Sequence, residues 1–316
     1  MRKAYLLIFL IITLCSCTQE QETEKIRIAT LKGPSAIGMV KMIDSIKQDK
    51  NSNLEISMYN EPIQVRKLML QNEVDLAVLP TTMGAILYNK QVPYQLAAIP
   101  VWGTLYLFGK DTTIQTWSDL KNKRVHLMAK GMTPDVLFKY LLVQNEIDPI
   151  HDVMLDYSFP THIELANAVA ANQADLAVIS EPMVSLVMQK NQSVYSIMDL
   201  NAEWQKVVDI PIAQTALLVK QKFAQKNNKE LQEILKSYNR STTWVNQNPQ
   251  QAAELIVKYN ILPNTEVARI TIPRCNLNFK KTEEIEDLVQ RYLQIFYNLD
   301  PAIIGGKIPD DNFYLN

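Results

Sequence analysis

The sequence contains little glycine and has no strong excess of charge. Only 8 of its 316 residues are Gly, and neither of the Gly-rich phosphate-binding patterns, GxGxxG and GxxxxGK[ST], occurs. The formal net charge is −1 and no basic run is present, so the chain has no attractive field for nucleic acid. These absences argue against nucleotide-binding enzymes of those classes and against a nucleic-acid partner.

The motifs of common hydrolases are absent as well. Neither the HExxH pattern of zinc peptidases nor the GxSxG pattern of serine hydrolases occurs. The three histidines, His126, His151 and His162, are not spaced as metal ligands and have no triad motif beside them. We expect His162 to be a surface residue beside a helix start. The sequence therefore predicts no metal, no cofactor and no enzymatic activity.

Cysteine is scarce, and two of the three cysteines lie near the N-terminus. Residues 2–3 are basic and residues 4–13 are apolar, a run shorter than the roughly 20 residues that a membrane-spanning helix needs. The following Leu-Cys-Ser-Cys at residues 14–17 resembles the lipobox of bacterial lipoproteins, although Cys15 replaces the usual small residue. The resemblance implies a signal peptide at residues 1–16 and a lipid, including palmitate, on Cys17.

A polar, acidic stretch follows the lipobox, and we interpret residues 17–25 as a tether. Cys275 would then be the one unmodified cysteine of the mature chain, which excludes an internal disulfide. The alternative is an ordinary signal peptide or an uncleaved anchor. The lipoprotein reading predicts a protein of the cell envelope, held to a membrane by its lipid and facing the periplasm or the cell exterior.

The most informative internal feature is a repeat. The sequence Asn-Glu-Val-Asp-Leu-Ala-Val at residues 72–78 returns as Asn-Gln-Ala-Asp-Leu-Ala-Val at residues 172–178. Lys-Gly-Pro at residues 32–34 precedes the first copy, and Lys-Gly-Met-Thr-Pro at residues 130–134 precedes the second copy at nearly the same distance. Two half-chains of similar plan predict two similar lobes, and a cleft between lobes is a favoured ligand site.

Strand and helix patterns alternate through both halves, which predicts doubly wound parallel sheets. We assign residues 26–109 to the first part of lobe one and residues 110–212 to lobe two. Residues 213–316 return to lobe one, with a strand at residues 211–220 followed only by helices.

Two further motifs point to a family. Ser-Asp-Leu-Lys-Asn-Lys-Arg-Val at residues 118–125 and Pro-Asp-Asp-Asn-Phe-Tyr at residues 309–314 accompany the lipobox and the doubled plan. Together they resemble the substrate-binding proteins of ABC importers for nitrate, taurine, aliphatic sulfonates and thiamine-pyrimidine precursors. The resemblance covers essentially the whole mature chain.

This resemblance implies an α/β fold of the two-lobed type II periplasmic-binding-protein kind. Each lobe would be a mostly parallel sheet flanked by helices, with the C-terminal helices on lobe one. The function implied is that of a monomeric, lipid-anchored protein that captures a small polar solute and delivers it to an ABC permease with its ATPase. The same fold also hosts enzymes of menaquinone and thiamine-pyrimidine pathways, but the export signal favours a binding protein.

The resemblance also implies ligand contacts in the loops at the carboxyl ends of the strands. The candidates are Gly33, Pro34, Ser35, Pro80, Thr81, Thr82 and Trp102 in lobe one, and Gly131, Met132, Thr133, Ser180 and Glu181 in lobe two. Helix starts there would present unpaired N–H groups and the positive end of the helix dipole, which suit an anionic or polar head group.

Several candidates have alternative roles. Thr82 and Thr133 are equally suited to be helix N-caps, and Trp102 fits either the cleft or a lobe core. Lys32 and Lys130 are placed to face either solvent or the solute. A carboxylate at Glu181 favours an amine or pyrimidine and would repel a purely anionic solute, so the sequence leaves the charge of the solute open.

Overall fold

The computed structural model describes residues 25–315. The predicted signal peptide, most of the tether and Cys17 lie outside the described residues. Among the residues described, no helix is long and apolar enough to cross a membrane.

The first part of the chain alternates strands with helices. Proline begins two of the helices, at Pro34 and Pro62, because its fixed φ suits the first helical position and its missing N–H would be unpaired there. The elements are β1 (Ile26–Leu31), α1 (Pro34–Gln48), β2 (Leu54–Tyr59), α2 (Pro62–Leu70), β3 (Leu76–Pro80), α3 (Thr81–Asn89) and β4 (Tyr94–Trp102).

The second part repeats this alternation. Its helix α5 begins with a capping box in which Thr161 and Glu164 exchange hydrogen bonds with each other's backbone N–H groups. The elements are β5 (Leu105–Gly109), β6 (Arg124–Leu127), α4 (Thr133–Gln144), β7 (Met154–Asp156), α5 (His162–Ala170), β8 (Leu176–Ser180), α6 (Met183–Lys190), β9 (Tyr195–Asp199) and α7 (Leu200–Val207).

The third part begins with a strand and is then mainly helical. Its elements are β10 (Ala213–Lys220), α8 (Gln221–Lys226), α9 (Asn228–Gln247), α10 (Pro249–Lys258), α11 (Thr265–Thr271), β11 (Leu277–Lys281) and α12 (Glu286–Leu299). The expectation of helices alone after Lys220 is wrong at β11. This strand forms because it pairs with the edge strand β4 and buries Leu277 and Phe279.

The strands form two sheets with the same internal order. The first sheet is β11-β4-β10-β3-β1-β2 and the second is β9-β5-β8-β6-β7. In each, three strands are parallel (β1, β2 and β3; β6, β7 and β8), and the next strand, β10 or β5, is antiparallel to both of its neighbours. The first sheet has one more strand, β11, at its edge beside β4. The two Asp-Leu-Ala-Val strands, β3 and β8, occupy equivalent positions in different sheets, so the two-lobed α/β fold is confirmed.

The crossing between the sheets differs from the sequence expectation. We call each sheet with its helices a lobe, and β5 pairs with β8 and β9 of lobe two. The predicted boundary between residues 109 and 110 is therefore too late, because the chain changes sheet at Gly103 and Thr104. The sequences of β4 and β5 are both apolar, and only the strands with which they pair assign them to different sheets. Strand β10 returns to lobe one beside β3 and β4.

The C-terminal helix α12 packs on lobe two rather than only on lobe one. Its Tyr292 and Phe296 lie against the fully buried Trp204 of α7, with ring centroids 6.2 and 6.5 Å away. The helix nevertheless follows β11 of lobe one in the chain. The last segment thus connects the two lobes a third time.

A buried carboxylate fastens the end of helix α10 to helix α1 of lobe one. Asp44 of α1 accepts hydrogen bonds from Lys258 and Tyr259, each at 2.8 Å, and it also pairs with Lys41. Burial alone would raise the pKa of Asp44, but these three donors outweigh burial and lower it to about 2.

We expect Asp44→Asn to lower the free energy of unfolding by about 2 kcal/mol at pH 7. Because the folded pKa lies below the unfolded value, this stabilisation is present above about pH 4 and is lost as the pH falls towards 2. Urea unfolding of both proteins at several pH values measures the difference. A difference that is constant from pH 7 to pH 3 would contradict this role of the carboxylate.

Candidate functional site

A cavity of about 440 Å³ lies between the lobes at the carboxyl ends of their parallel strands. Both lobes and the returning strand β10 contribute to its wall. Its polar lining residues are Lys32, Ser35, Asn60, Glu61, Thr104, His162, Ser180, Glu181, Gln214 and Thr215. This volume lies in the range of cavities that bind small molecules.

Lobe one presents the start of α1 to the cavity. Gly33 precedes the helix with φ of 145°, a conformation that L-residues rarely adopt, and Pro34 occupies the first turn. No side chain caps this N-terminus and no acidic residue lies in its first turn. The N–H groups and positive dipole end of α1 therefore remain available to an anion.

Two buried hydroxyl groups stand beside this helix start. The Oγ of Ser35 lies 3.4 Å from the Oγ1 of Thr215 on β10, and both residues line the cavity. Either hydroxyl can donate to a ligand while accepting from the other. The end of the cavity at α1 thus offers hydrogen-bond donors without a neutralising carboxylate.

Lobe two contributes the end of β8 and the start of α6. Ser180 and Glu181 line the cavity, and Glu181 is 2% exposed. Its carboxylate accepts hydrogen bonds from the N–H and hydroxyl of Ser185 at 3.1 and 3.0 Å and forms an ion pair with Arg274. Burial raises the pKa of Glu181, and Arg274 and Ser185 oppose this rise. Protein groups already neutralise this carboxylate.

The mouth of the cavity carries ionisable groups from both lobes. Lys32 and Glu61 come from lobe one, and His162 comes from the start of α5. Burial and the facing carboxylate of Glu164 raise the pKa of Glu61. His162 is partly accessible, but its surroundings desolvate the ring and lower its pKa to about 4, so it is neutral at pH 7.

The remaining wall of the cavity is aliphatic. It is formed by Leu31, Pro34, Pro62, Pro80, Val101, Ile163, Pro182, Met183, Leu186, Ile261, Leu262 and Pro263. Within the part of the chain that the structure describes, no Phe, Tyr or Trp ring lines it. The arrangement suits a ligand with a polar head and an aliphatic remainder, and the imidazole of His162 is the flat ring that these lining residues include.

Five of the predicted contacts line this cavity, namely Pro34, Ser35, Pro80, Ser180 and Glu181. Gly33 lies beside it, because a Cβ at Gly33 would be 3.4 Å from Pro182 of lobe two. Thr81 and Thr82 are buried behind Pro80, and the hydroxyl of Thr82 lies 2.8 Å from that of Thr133 across the lobes.

The Gly131 loop is not part of the cavity wall. The N–H of Gly131 donates to the carboxylate of Asp135 at 2.7 Å, so this donor is already occupied. Met132 packs on the core, and Lys130 lies 5.3 Å above the ring of Tyr157. The carboxylate of an acidic residue in the first turn of α4 therefore occupies the helix N-terminus that the sequence suggested as a ligand site.

Trp102 lines a different cavity, of about 400 Å³, behind the crossing strands. Its indole N–H donates to the carbonyl oxygen of Asn278 at 2.6 Å. Its neighbours Val101 and Thr104 face the interlobe cavity instead. Successive side chains of a strand point to opposite faces, which explains why Val101 and Trp102 line different cavities, whereas Thr104 lies in the crossing after β4 has ended.

Several lining residues were not predicted from the sequence. Gln214 and Thr215 break the apolar run of β10, and this pair of polar residues in a buried strand was a usable signal. Asn60 and residues 261–263 lie in loops without a distinguishing pattern. His162 was expected at the surface, but it lines the cavity because the two lobes meet beside it.

Comparisons with known proteins give a consistent result. The family model described as "ABC transporter, phosphonate, periplasmic substrate-binding protein" matches residues 38–260. A protein of Bacillus subtilis (strain 168) that carries the name binding protein YtlA is 23% identical over 251 residues, covering 75% of this chain and 71% of that protein.

Solved structures extend the similarity to the fold. An ABC transporter from Parabacteroides distasonis has a TM-score of 0.80 and 26% identity, covering 92% of this chain and 99% of that one. The periplasmic aliphatic sulphonate binding protein SsuA from Escherichia coli has a TM-score of 0.71 and 17% identity, covering 92% and 95%. At the latter identity the likeness shows the fold alone.

Proposed function

Because this chain belongs to the phosphonate periplasmic substrate-binding protein family of ABC transporters, we propose that it captures a small oxyanion between its lobes. The oxyanion is a phosphonate, sulfonate or similar head with an aliphatic remainder. The loaded protein then delivers this solute to a membrane permease powered by an ATPase.

The start of α1 carries this proposal. It faces the cavity uncapped, with the hydroxyl groups of Ser35 and Thr215 beside it. Hydrogen bonds to a charged group contribute about 1.5–3 kcal/mol each, so an oxyanion that accepts several of them gains most of its affinity there. The aliphatic wall near Leu186 and Leu262 accommodates the remainder of the solute.

An unpaired carboxylate at Glu181 would repel an anionic solute, but this carboxylate forms an ion pair with a protein side chain. Arg274 and Ser185 occupy its carboxylate, so Glu181 does not require an amine on the ligand. The absence of Phe, Tyr and Trp from the described lining residues also disfavours an aminopyrimidine. For the enzyme alternative we find no supporting observation among residues 25–315, where no group of three His, Cys, Asp or Glu side chains is arranged for a metal.

We further propose that Cys17 anchors a monomeric protein to the membrane. The motif at residues 14–17 supports this. We expect Cys17→Ala to release the protein from the membrane fraction into the soluble fraction, and intact-mass measurement of the wild type to show a lipidated N-terminal Cys17. A mature wild-type protein that begins at another residue without lipid would contradict the proposal.

The oxyanion proposal is tested by a thermal-shift screen of the soluble chain from Thr18. The panel contains methylphosphonate, ethanesulfonate, taurine, nitrate and an aminopyrimidine. A ligand present at about 100 times its dissociation constant stabilises the protein by about 2.7 kcal/mol. We expect such a shift with a phosphonate or sulfonate. A shift with the aminopyrimidine alone, or with none of the five compounds, would overturn the proposal.

A further inference from the structure

Glu181 is a carboxylate of the cavity wall whose neutralising partner comes from the other lobe. Glu181 directly follows β8 in lobe two, and its side chain is fully buried. Arg274 lies in the turn at Ile272–Arg274, between α11 and β11 of lobe one. Its Nε donates to the Oε1 of Glu181. The ion pair therefore exists only when the lobes meet.

Arg274 is fixed by more than this pair. Its guanidinium carbon lies 4.1 Å from the centre of the Tyr106 ring on β5, an arrangement in which cation and ring attract each other. The next residue, Cys275, is fully buried in the core of lobe one and holds the backbone of the turn. Arg274 of lobe one thus contacts two residues of lobe two, Glu181 and Tyr106.

The charges of the closed cavity depend on this arrangement. Besides Glu181, the charged lining residues among those described are Lys32 and Glu61, which lie at the mouth. Without Arg274, the carboxylate of Glu181 would keep only the two hydrogen bonds from Ser185, and in its ionised form it would repel an anionic ligand in a medium of low dielectric constant. With Arg274 present, its ion pair with Glu181 has no net charge. The hydroxyl and N–H donors of the cavity then determine which ligand charge the site prefers.

We infer that Arg274 determines the charge specificity of the site: it shields Glu181 from the ligand, so that the closed cavity accepts an oxyanion. This inference rests on the proposed function, and it goes beyond that function by assigning the preference for anions to a residue outside the cavity lining. The competing interpretation is that Arg274 is only a mechanical latch between the lobes.

A cycle of variants separates shielding from latching. Arg274→Gln removes the shield and the latch together. The double variant Glu181→Gln/Arg274→Gln still lacks the latch but no longer carries the unpaired charge. Arg274→Lys keeps a cation near Glu181 and loses the planar guanidinium. Lys236→Gln serves as a control of equal charge change, because Lys236 pairs with Glu233 on the exposed face of α9.

The measurement is calorimetric titration of the soluble chain from Thr18 with ethanesulfonate and with taurine, its amine-bearing analogue. We expect Arg274→Gln to bind ethanesulfonate at least tenfold more weakly than the wild type, with a tenfold shift of preference towards taurine. The double variant should recover ethanesulfonate affinity to within about threefold of the wild type. Arg274→Lys and Lys236→Gln should keep the wild-type preference.

Shielding is overturned if the double variant binds ethanesulfonate as weakly as Arg274→Gln does, because the lost latch would then explain the whole effect. It is equally overturned if Arg274→Gln keeps the wild-type preference. If the wild type binds no phosphonate or sulfonate at all, the proposed function fails first and the inference with it. Circular dichroism and thermal melting confirm that each variant is folded before titration.

Discussion

A Ser35→Asp variant is expected to lose at least a hundredfold in affinity for the oxyanion relative to the wild type. The new carboxylate would stand in the first turn of α1, whose N-terminus no side chain caps. An acidic residue at an exposed position of this kind stabilises a helix by about 0.3–1 kcal/mol, which offsets part of the cost of burying the carboxylate at Ser35. The same carboxylate would occupy the position of the ligand's head group and repel it. A hundredfold loss of affinity corresponds to about 2.7 kcal/mol of binding free energy.

A second variant at the same position separates the effect of the new charge from the effect of the lost hydroxyl. Ser35→Ala removes only the hydroxyl that faces Thr215, and we expect it to lose about tenfold in affinity with little change in stability. Thermal melting without ligand and calorimetric titration with the best ligand of the screen measure both quantities. If Ser35→Asp binds this ligand as well as the wild type does, the head group does not lie at α1.

The largest expected loss of stability belongs to Trp204→Ala. Trp204 is fully buried and contacts Tyr140 of α4 and Tyr292 and Phe296 of α12. Its indole N–H also donates to the carbonyl oxygen of Ile210 at 2.8 Å. Truncating such a residue leaves a cavity and an unpaired carbonyl, and we expect the free energy of unfolding to fall by about 3–5 kcal/mol.

Trp244→Ala is a matched control, because Trp244 is only partly buried and stacks with the side chain of Lys41 on the surface of lobe one. We expect it to cost less than half as much as Trp204→Ala in urea unfolding at pH 7. Equal losses for the two variants would contradict the assignment of Trp204 as the residue that holds α12 to lobe two.

The local parts of the fold were predictable from the sequence. Proline at helix starts, apolar spacing and the repeated Asp-Leu-Ala-Val strands defined most elements to within a few residues. The helix starts that were predicted beside the two Lys-Gly pairs occur as the starts of α1 and α4. Such signals are local, because each arises from backbone preferences or from one face of a single element.

The features that were not predictable depend on contacts between distant residues. Strand β5 resembles β4 in composition, and only its partner β8 assigns it to lobe two. Arg274 and Glu181 meet across 93 positions of sequence, so no spacing pattern connects them. At Gly131 the local pattern suggested an anion site, but the carboxylate of Asp135 already satisfies the N–H group.

A crystal structure of the soluble chain with the ligand that gives the largest thermal shift is the most direct test of the central claim. We predict that the oxyanion lies in the interlobe cavity, with an oxygen about 3 Å from the backbone nitrogen of Ser35 and another within hydrogen-bond distance of the Thr215 hydroxyl. A head group bound at the Gly131 loop, or in the cavity beside Trp102, would contradict the account.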